Sequence, residues 1–252
     1  MRHLTLTKLV SCATIAGLMT IGPLTVPAAA NNSQVNAPRQ GLPGRRISGG
    51  SRSPNAACLT TPDQPVVALM PKNNLGLTLK EHPTFWFAVP GINPHKELEF
   101  GLFDAAGNLL HQQSMTVPES AGITKITLPA TAPALATDTD YRWYLSVVCD
   151  PSSRAEDLVV TGWVRRVEAE TGLLQQLSTA TLQEQLSLYE NSELWFDALT
   201  ILAELRDSQP STDIEQQWAA LFESVELPQV LNSPFHHTPS PNLALSTTSS
   251  TQ

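Results

Sequence analysis

Residues 141–150, YRWYLSVVCD, constrain the fold because their apolar side chains recur at every second position. The recurring residues are Tyr141, Trp143, Leu145 and Val147. Side chains alternate between the two faces of an extended chain, so this pattern predicts a β-strand with one face in a hydrophobic core. The strand ends at Cys149, a candidate for a covalent cross-link.

The chain from Cys58 onward consists of short strand-like runs separated by turn residues. The predicted strands cover residues 66–70, 75–79, 84–89, 97–103, 109–115, 123–128, 141–148 and 158–167. Short strands with Pro and Gly at the joins, and no helical segment between them, are typical of an antiparallel sandwich. We therefore predict an antiparallel, immunoglobulin-like β-sandwich domain over residues 58–168.

After the last predicted strand, apolar residues follow helical spacing instead. Thr181 with Glu184 and Thr212 with Glu215 match the capping box that marks a helix start. A three-helix segment is therefore predicted over residues 169–227, and the fold class is mainly β with C-terminal α. The first two helices resemble a single tetratricopeptide repeat, with its spacing at Leu182, Tyr189, Ala198, Leu202 and Pro210.

Two sets of motifs carry a family resemblance. The pattern L-x3-T-x-Y-x-W, which begins at Leu135, resembles the tyrosine corner of immunoglobulin-like and fibronectin-like sandwiches, in which the phenol bonds to nearby backbone. Taken with GRRISGGSR, GLTLKEHPTFWFAVP, YRWYLSVVCDPSSR, GWVRRV and ALTILAELR, the chain resembles a cyanobacterial family of exported proteins known as domain of unknown function 928. The resemblance covers about residues 44–227. Because that family has no established activity, the resemblance implies an architecture and no mechanism.

Residues 1–30 have the features of a signal peptide. Arg2 and Lys8 precede an apolar centre, and a small-residue cleavage site ends at Ala30. The predicted mature chain, residues 31–252, keeps 13 basic and 23 acidic side chains, a net charge of −10. We therefore expect an exported protein, periplasmic or secreted, that does not bind nucleic acid and has no transmembrane segment after signal removal.

Signal cleavage would remove Cys12 and leave Cys58 and Cys149. An even pair of cysteines in an exported protein predicts a disulfide. A redox-active pair is the alternative, although the two residues lack the spacing of a CxxC motif.

The two ends of the predicted mature chain are polar and rich in Gly, Ser or Pro. Residues 31–57 contain no acid and predict a flexible basic arm. Arg45 and Arg46 in this arm are interpreted either as part of a solvated linker or as contacts to an anionic surface such as lipopolysaccharide, lipid head groups or an acidic polymer. Residues 228–252 predict a disordered tail.

The sequence contains no recognisable nucleophile motif, metal-ligand set or phosphate-binding loop, so we predict no catalytic, metal or cofactor residues. Trp86 is the candidate binding residue of the domain. Phe85 and Phe87 share one strand face and Trp86 lies on the other, where it either packs beneath the helices or stacks on a sugar ring. The helices are the favoured neighbour because an exposed apolar patch would be unfavourable.

These observations lead to two main functional hypotheses. The first is an exported, non-enzymatic envelope protein that acts as an interaction or assembly module and docks a protein partner through its C-terminal helices. The alternative is a carbohydrate-binding module of the cell wall or outer polysaccharide that uses Trp86. A hydrolase is a third possibility, with no motif behind it.

Overall fold

The structure is a computed structural model that describes residues 42–49, 58–61, 64–94, 96–116 and 120–236. Eight strands precede four α-helices, which confirms a mainly β chain with C-terminal α. The strands are β1 (Val67–Ala68), β2 (Leu75–Thr78), β3 (Thr84–Val89), β4 (Glu97–Phe103), β5 (Leu109–Thr116), β6 (Gly122–Thr127), β7 (Asp140–Val148) and β8 (Leu158–Arg166). The helices are α1 (Leu173–Thr179), α2 (Leu182–Asn191), α3 (Trp195–Ser208) and α4 (Thr212–Ser224).

The strands form two sheets, one of order β1-β3-β6 and one of order β2-β8-β7-β4-β5. Every strand pair is antiparallel except β2 and β8, which are parallel with Leu75 opposite Trp163. The prediction of a purely antiparallel sandwich is therefore wrong at this pair. Alternation of side chains reports which face a strand buries, but not the direction of its neighbour. The immunoglobulin-like relationship stays a prediction.

The main core lies between the two sheets and is rich in aromatic rings. Phe85 of the small sheet packs against Phe100 and Trp143 of the large sheet, with ring centroids 5.0 and 5.8 Å apart. At the start of β7, the Tyr141 hydroxyl accepts a hydrogen bond from the Ala136 N–H at 3.0 Å, as the tyrosine-corner pattern predicts. The face-to-face packing of the sheets thus follows from the alternation that the sequence shows.

A second core lies on the opposite face of the small sheet, beneath the helices. Trp86 and Ile123 of this face belong to the same buried cluster as Leu199, Leu202 and Trp218. Because β3 is covered on both faces, its sequence TFWFAV is an almost continuous apolar run rather than an alternating one. The helical layer is therefore an integral cover of the small sheet, and all described residues belong to one compact unit.

The helical layer contains one helix more than predicted. Helix α1 is only seven residues long and starts without a side-chain cap, so it carries little sequence signal. The capping box of Thr181 and Glu184 is confirmed at α2. At α4 the cap is Ser211, which accepts from the Ile214 N–H at 3.3 Å, so the predicted cap at Thr212 is one residue late. The tetratricopeptide-like relationship stays a prediction.

Parts of the two terminal segments have defined contacts. Residues 42–49 run along the sandwich, and Arg45 pairs with Thr161 of β8. Residues 228–236, which fall in the predicted disordered tail, return to the small sheet, where the Ile123 N–H donates to the Pro234 carbonyl at 2.6 Å. The predicted signal peptide, most of the predicted arm and residues 237–252 lie outside the described residues.

The predicted disulfide is present between Cys58 and Cys149, whose Cα atoms are 5.2 Å apart. It closes a loop of 91 residues and ties the start of the sandwich to the end of β7.

Candidate functional site

An open cavity of about 530 Å³ lies where the helices meet β2, the edge strand of the large sheet. Its walls come from β2 and the loop before it, and from α2, α3 and α4. The first turn of α3 approaches β2 closely because Gly76 has no side chain. A Cβ at this position would overlap the Phe196 ring. The close contact between Gly76 of β2 and Phe196 of α3 therefore fixes the spacing of these two elements beside the cavity.

The floor of the cavity is apolar. Leu75 and Leu77 contribute from one face of β2, since residues two apart on a strand point the same way. The helices contribute Leu194, Trp195 and Leu221. Trp195 is fixed because its Nε1 donates a hydrogen bond to the Leu69 carbonyl at 2.9 Å. A concave, mainly apolar surface with few polar groups is typical of a binding site for a small molecule or a peptide side chain.

The rim of the cavity is acidic. Glu190 lies at the end of α2 and Glu193 in the turn before α3, and both line the opening. Partial desolvation raises the pKa of the Glu190 carboxyl. Glu193 has a φ of 56°, in the left-handed region that glycine favours. Among the described residues neither carboxylate forms an ion pair, so the rim is free to accept positive charge.

A buried carboxylate anchors α3 beside the cavity. Asp197 is 4% exposed, and its Oδ2 accepts a hydrogen bond from the Leu79 N–H at 3.0 Å. Desolvation raises the pKa of this carboxyl. Desolvation, followed by the Asp197 charge, also raises the pKa of Tyr189, which lines the cavity. Asp197 therefore joins the start of the helix to the end of the edge strand, which fixes the wall formed by α3.

The sequence of this chain matches the model of a known protein family. The family model described as Domain of Unknown Function (DUF928) matches residues 47–235, which include all eight strands and all four helices. The chain belongs to this family. No curated protein matches the chain.

In this member of the family, Trp86 packs beneath the helices. It is 6% exposed, its Nε1 donates to the Thr200 hydroxyl at 3.1 Å, and its ring lies edge-to-face with Phe235 at 5.9 Å. Lys125 lies over the ring, with its Nζ 5.6 Å from the centroid. The structure therefore shows the favoured arrangement, in which Trp86 packs beneath the helices and does not face solvent. Trp86 is not accessible to a sugar ring in this arrangement.

The neighbouring arginines Arg45 and Arg46 occupy different environments. Arg45 is exposed, and its backbone N–H donates to the Thr161 carbonyl at 3.1 Å. Arg46 points inward and donates to the carbonyls of Val225 at 2.9 Å and Met70 at 3.2 Å. Burial lowers the pKa of the Arg46 guanidinium. The structure therefore uses Arg46 as an internal hydrogen-bond donor, and of the two only Arg45 faces solvent.

The cavity residues Glu190 and Glu193, and the buried Asp197 beside the cavity, were not singled out from the sequence. Asp197 carried a usable signal, since it interrupts the apolar run WFDALTIL in a helix that is apolar on more than one side. The two glutamates carried none, because acidic residues at a helix end are ordinary surface residues. In the described part of this family member, no helix is both long enough and apolar enough to cross a membrane.

Proposed function

We propose that the protein is an exported, non-enzymatic envelope protein that acts as an interaction or assembly module, and that a partner protein docks at the cavity between β2 and the helices. The observation that carries this proposal is the apolar floor with its acidic rim, formed by Leu75, Leu77, Leu221, Glu190 and Glu193. The disulfide and the predicted signal peptide support export, since disulfides persist in oxidising compartments.

The composition of the cavity defines the kind of partner. An apolar side chain from the partner would fill the floor, and burial of one Leu- or Phe-sized group contributes about 1.5–3 kcal/mol. A basic side chain beside it would pair with Glu190 or Glu193. The attraction in such a pair would offset the desolvation of Glu190, which has no ion-pair partner among the described residues. The best-suited partner segment therefore places an apolar residue next to Lys or Arg.

The test uses the disulfide-bonded chain of residues 31–252 as bait for solubilised cell envelope, with two cavity variants and one control variant beside it. Leu221→Asp puts a charge in the cavity floor, and the pair Glu190→Lys and Glu193→Lys reverses the charge of the rim. We expect each change to reduce the captured partner about tenfold or more, which corresponds to the loss of one good contact.

The matched control is the pair Glu97→Lys and Glu223→Lys, two exposed positions outside the cavity with the same change in charge. This variant should capture the partner as well as the unmodified bait does. Equal capture by all variants, or equal loss in the control, would refute docking at the cavity. Point variants are preferable to removal of the helices, because removal would expose the apolar face around Trp86.

A further inference from the structure

The outer face of the large sheet carries a row of aromatic and basic side chains that ends at Trp163, opposite Leu75 of the cavity floor. The strand register places Phe103, Arg142 and Trp163 side by side on β4, β7 and β8. Arg142 is exposed, and its guanidinium carbon lies 5.7 Å from the centre of the Phe103 ring. Trp163 is half-buried, and its Nε1 donates to the Pro43 carbonyl at 2.8 Å. The row therefore alternates ring, cation and ring across three strands.

A third ring lies flat on the sheet beside this row. Tyr144 is directly opposite Gly101, and a Cβ at Gly101 would overlap the Tyr144 ring, so the glycine lets the ring rest on the backbone. The Tyr144 hydroxyl donates to Glu99 at 2.8 Å. The ring centroid is 5.8 Å from that of Phe103, with an angle of 36° between the planes. Together the two tilted rings form an aromatic surface next to Arg142.

The charges of this face are unevenly distributed. Arg165 donates to Asp140 at 2.7 Å, whereas Arg154 donates to both Glu99 at 2.9 Å and Asp157 at 2.6 Å, so three acids share two arginines. Arg142 has no ion pair among the described residues, and the same holds for Arg45 at the margin of the face. Exposed Glu97 lies on the same face of β4 as Phe103 and also has no ion pair among the described residues, so the uncompensated positive charge is confined to the surroundings of Arg142 and Arg45.

We propose that this face binds an acidic polysaccharide. The rings of Phe103, Tyr144 and Trp163 would stack against the C–H faces of sugar rings. Arg142, already oriented by Phe103, would hold a carboxylate or sulfate group through paired hydrogen bonds. Arg45 would contribute a weaker contact at the margin. The rings on neighbouring strands suit an extended polymer, and the unpaired Arg142 and Arg45 select an acidic one. This site adjoins the proposed protein-docking cavity at Trp163, which is opposite Leu75, but Arg142 and Phe103 lie one and two strands further away, so either proposal can fail alone.

The test is native gel electrophoresis of the disulfide-bonded chain of residues 31–252 through gels that contain polygalacturonate, alginate, dextran sulfate or neutral dextran. We expect retardation by at least one of the acidic polymers, none by neutral dextran, and weaker retardation when salt is added. Arg142→Gln should weaken retention about tenfold. Arg45→Gln should weaken it about threefold, because its contact is solvent-exposed.

Two further variants separate a built site from general charge attraction. Lys72→Gln removes one exposed positive charge on the loop before β2 and should leave retention unchanged. Phe103→Ala keeps every charge and should weaken retention, because it removes a stacking surface and the support of Arg142. Equal loss with Lys72→Gln, or retention that survives Arg142→Gln, would overturn the proposal. Absence of retardation in all three acidic polymers, or adsorption to phosphatidylglycerol vesicles alone, would also overturn it.

Discussion

The carboxylate of Asp197 is a deeply buried ionisable group with a structural role. It is 4% exposed, its Oδ2 accepts from the Leu79 N–H, and its Oδ1 has no hydrogen-bond partner among the described residues. Desolvation raises the pKa of this carboxyl above that of an unfolded chain. The folded state therefore holds the proton to a higher pH than the unfolded state does. Stability attributable to this group falls as the pH rises through the folded pKa.

Replacement of Asp197 by Asn should flatten this pH dependence. The amide oxygen can still accept from the Leu79 N–H, but no charge must be buried. The free energy of unfolding of Asp197→Asn relative to the unmodified protein should therefore increase as the pH rises from about 4 to 7. Urea unfolding at several pH values measures the difference. A difference that stays constant with pH would contradict this account.

The companion variant Asp197→Ala removes the acceptor as well. It leaves the Leu79 N–H buried without a partner and should lower the free energy of unfolding by about 1–3 kcal/mol at neutral pH.

The residue scale is also where the sequence was least informative. Arg45 and Arg46 are adjacent and chemically identical, yet one faces solvent and the other donates to the carbonyls of Met70 and Val225. Their difference comes from the path of the chain between the two sheets, which no local pattern encodes. For Trp86 the sequence favoured a position beneath the helices over a sugar-binding face, because an exposed apolar patch is unfavourable, and the ring does lie beneath the helices. The cavity rim could not be foreseen, because its acids become neighbours of β2 only after folding.

At the scale of elements, the junction of β2 and α3 determines the shape of the cavity. Gly76 and Phe196 are in contact at this junction, and the ring of Phe196 enters the core between the sheets. The alternation of apolar residues predicted the eight strands, and the capping box predicted the start of α2. They did not predict the parallel pairing of β2 with β8, because strand direction is set by long-range packing. They also missed α1, which is too short for a periodic signal.

Gly76→Ala should therefore loosen the contact between β2 and α3. The added methyl group overlaps the Phe196 ring, and overpacking of this kind lowers the free energy of unfolding by about 1–3 kcal/mol. Gly49→Ala is the control, since a Cβ there meets only Arg45 Nη1 at an ordinary 3.6 Å. Phe196→Leu in the Gly76→Ala background should recover part of the loss. A loss as large in Gly49→Ala would show that steric overlap is not the cause. Chemical denaturation of the unmodified protein, the two single variants and the double variant measures their free energies of unfolding.

At the scale of the whole molecule, the disulfide is the longest covalent constraint that the structure shows. Cys58 and Cys149 are 91 residues apart in sequence, and both are buried. Their pairing was predicted from the sequence because signal cleavage would leave an even number of cysteines. A cross-link over so long a loop reduces the entropy of the unfolded chain considerably.

The double variant Cys58→Ser and Cys149→Ser should lose about 4 kcal/mol in free energy of unfolding, on the chain-entropy estimate for a loop of this length. Urea titration of the oxidised protein and the double variant measures the loss. The same titration of the unmodified protein with reductant should give a similar value. A loss below about 1 kcal/mol would mean that the unfolded chain is already restricted in other ways.

The parallel pair of β2 and β8 also fixes an order of events for a chain that emerges from its N-terminus. β2 ends at Thr78, but β8 begins only at Leu158, and the helix that packs beside β2 follows later still. Until β8 has been synthesised, β2 has no sheet partner. Until α3 has been synthesised, no helix packs on the apolar residues of β2. Contacts so distant in sequence form slowly. During synthesis, β2 therefore exposes Leu75 and Leu77 to premature association until β8 and α3 are available.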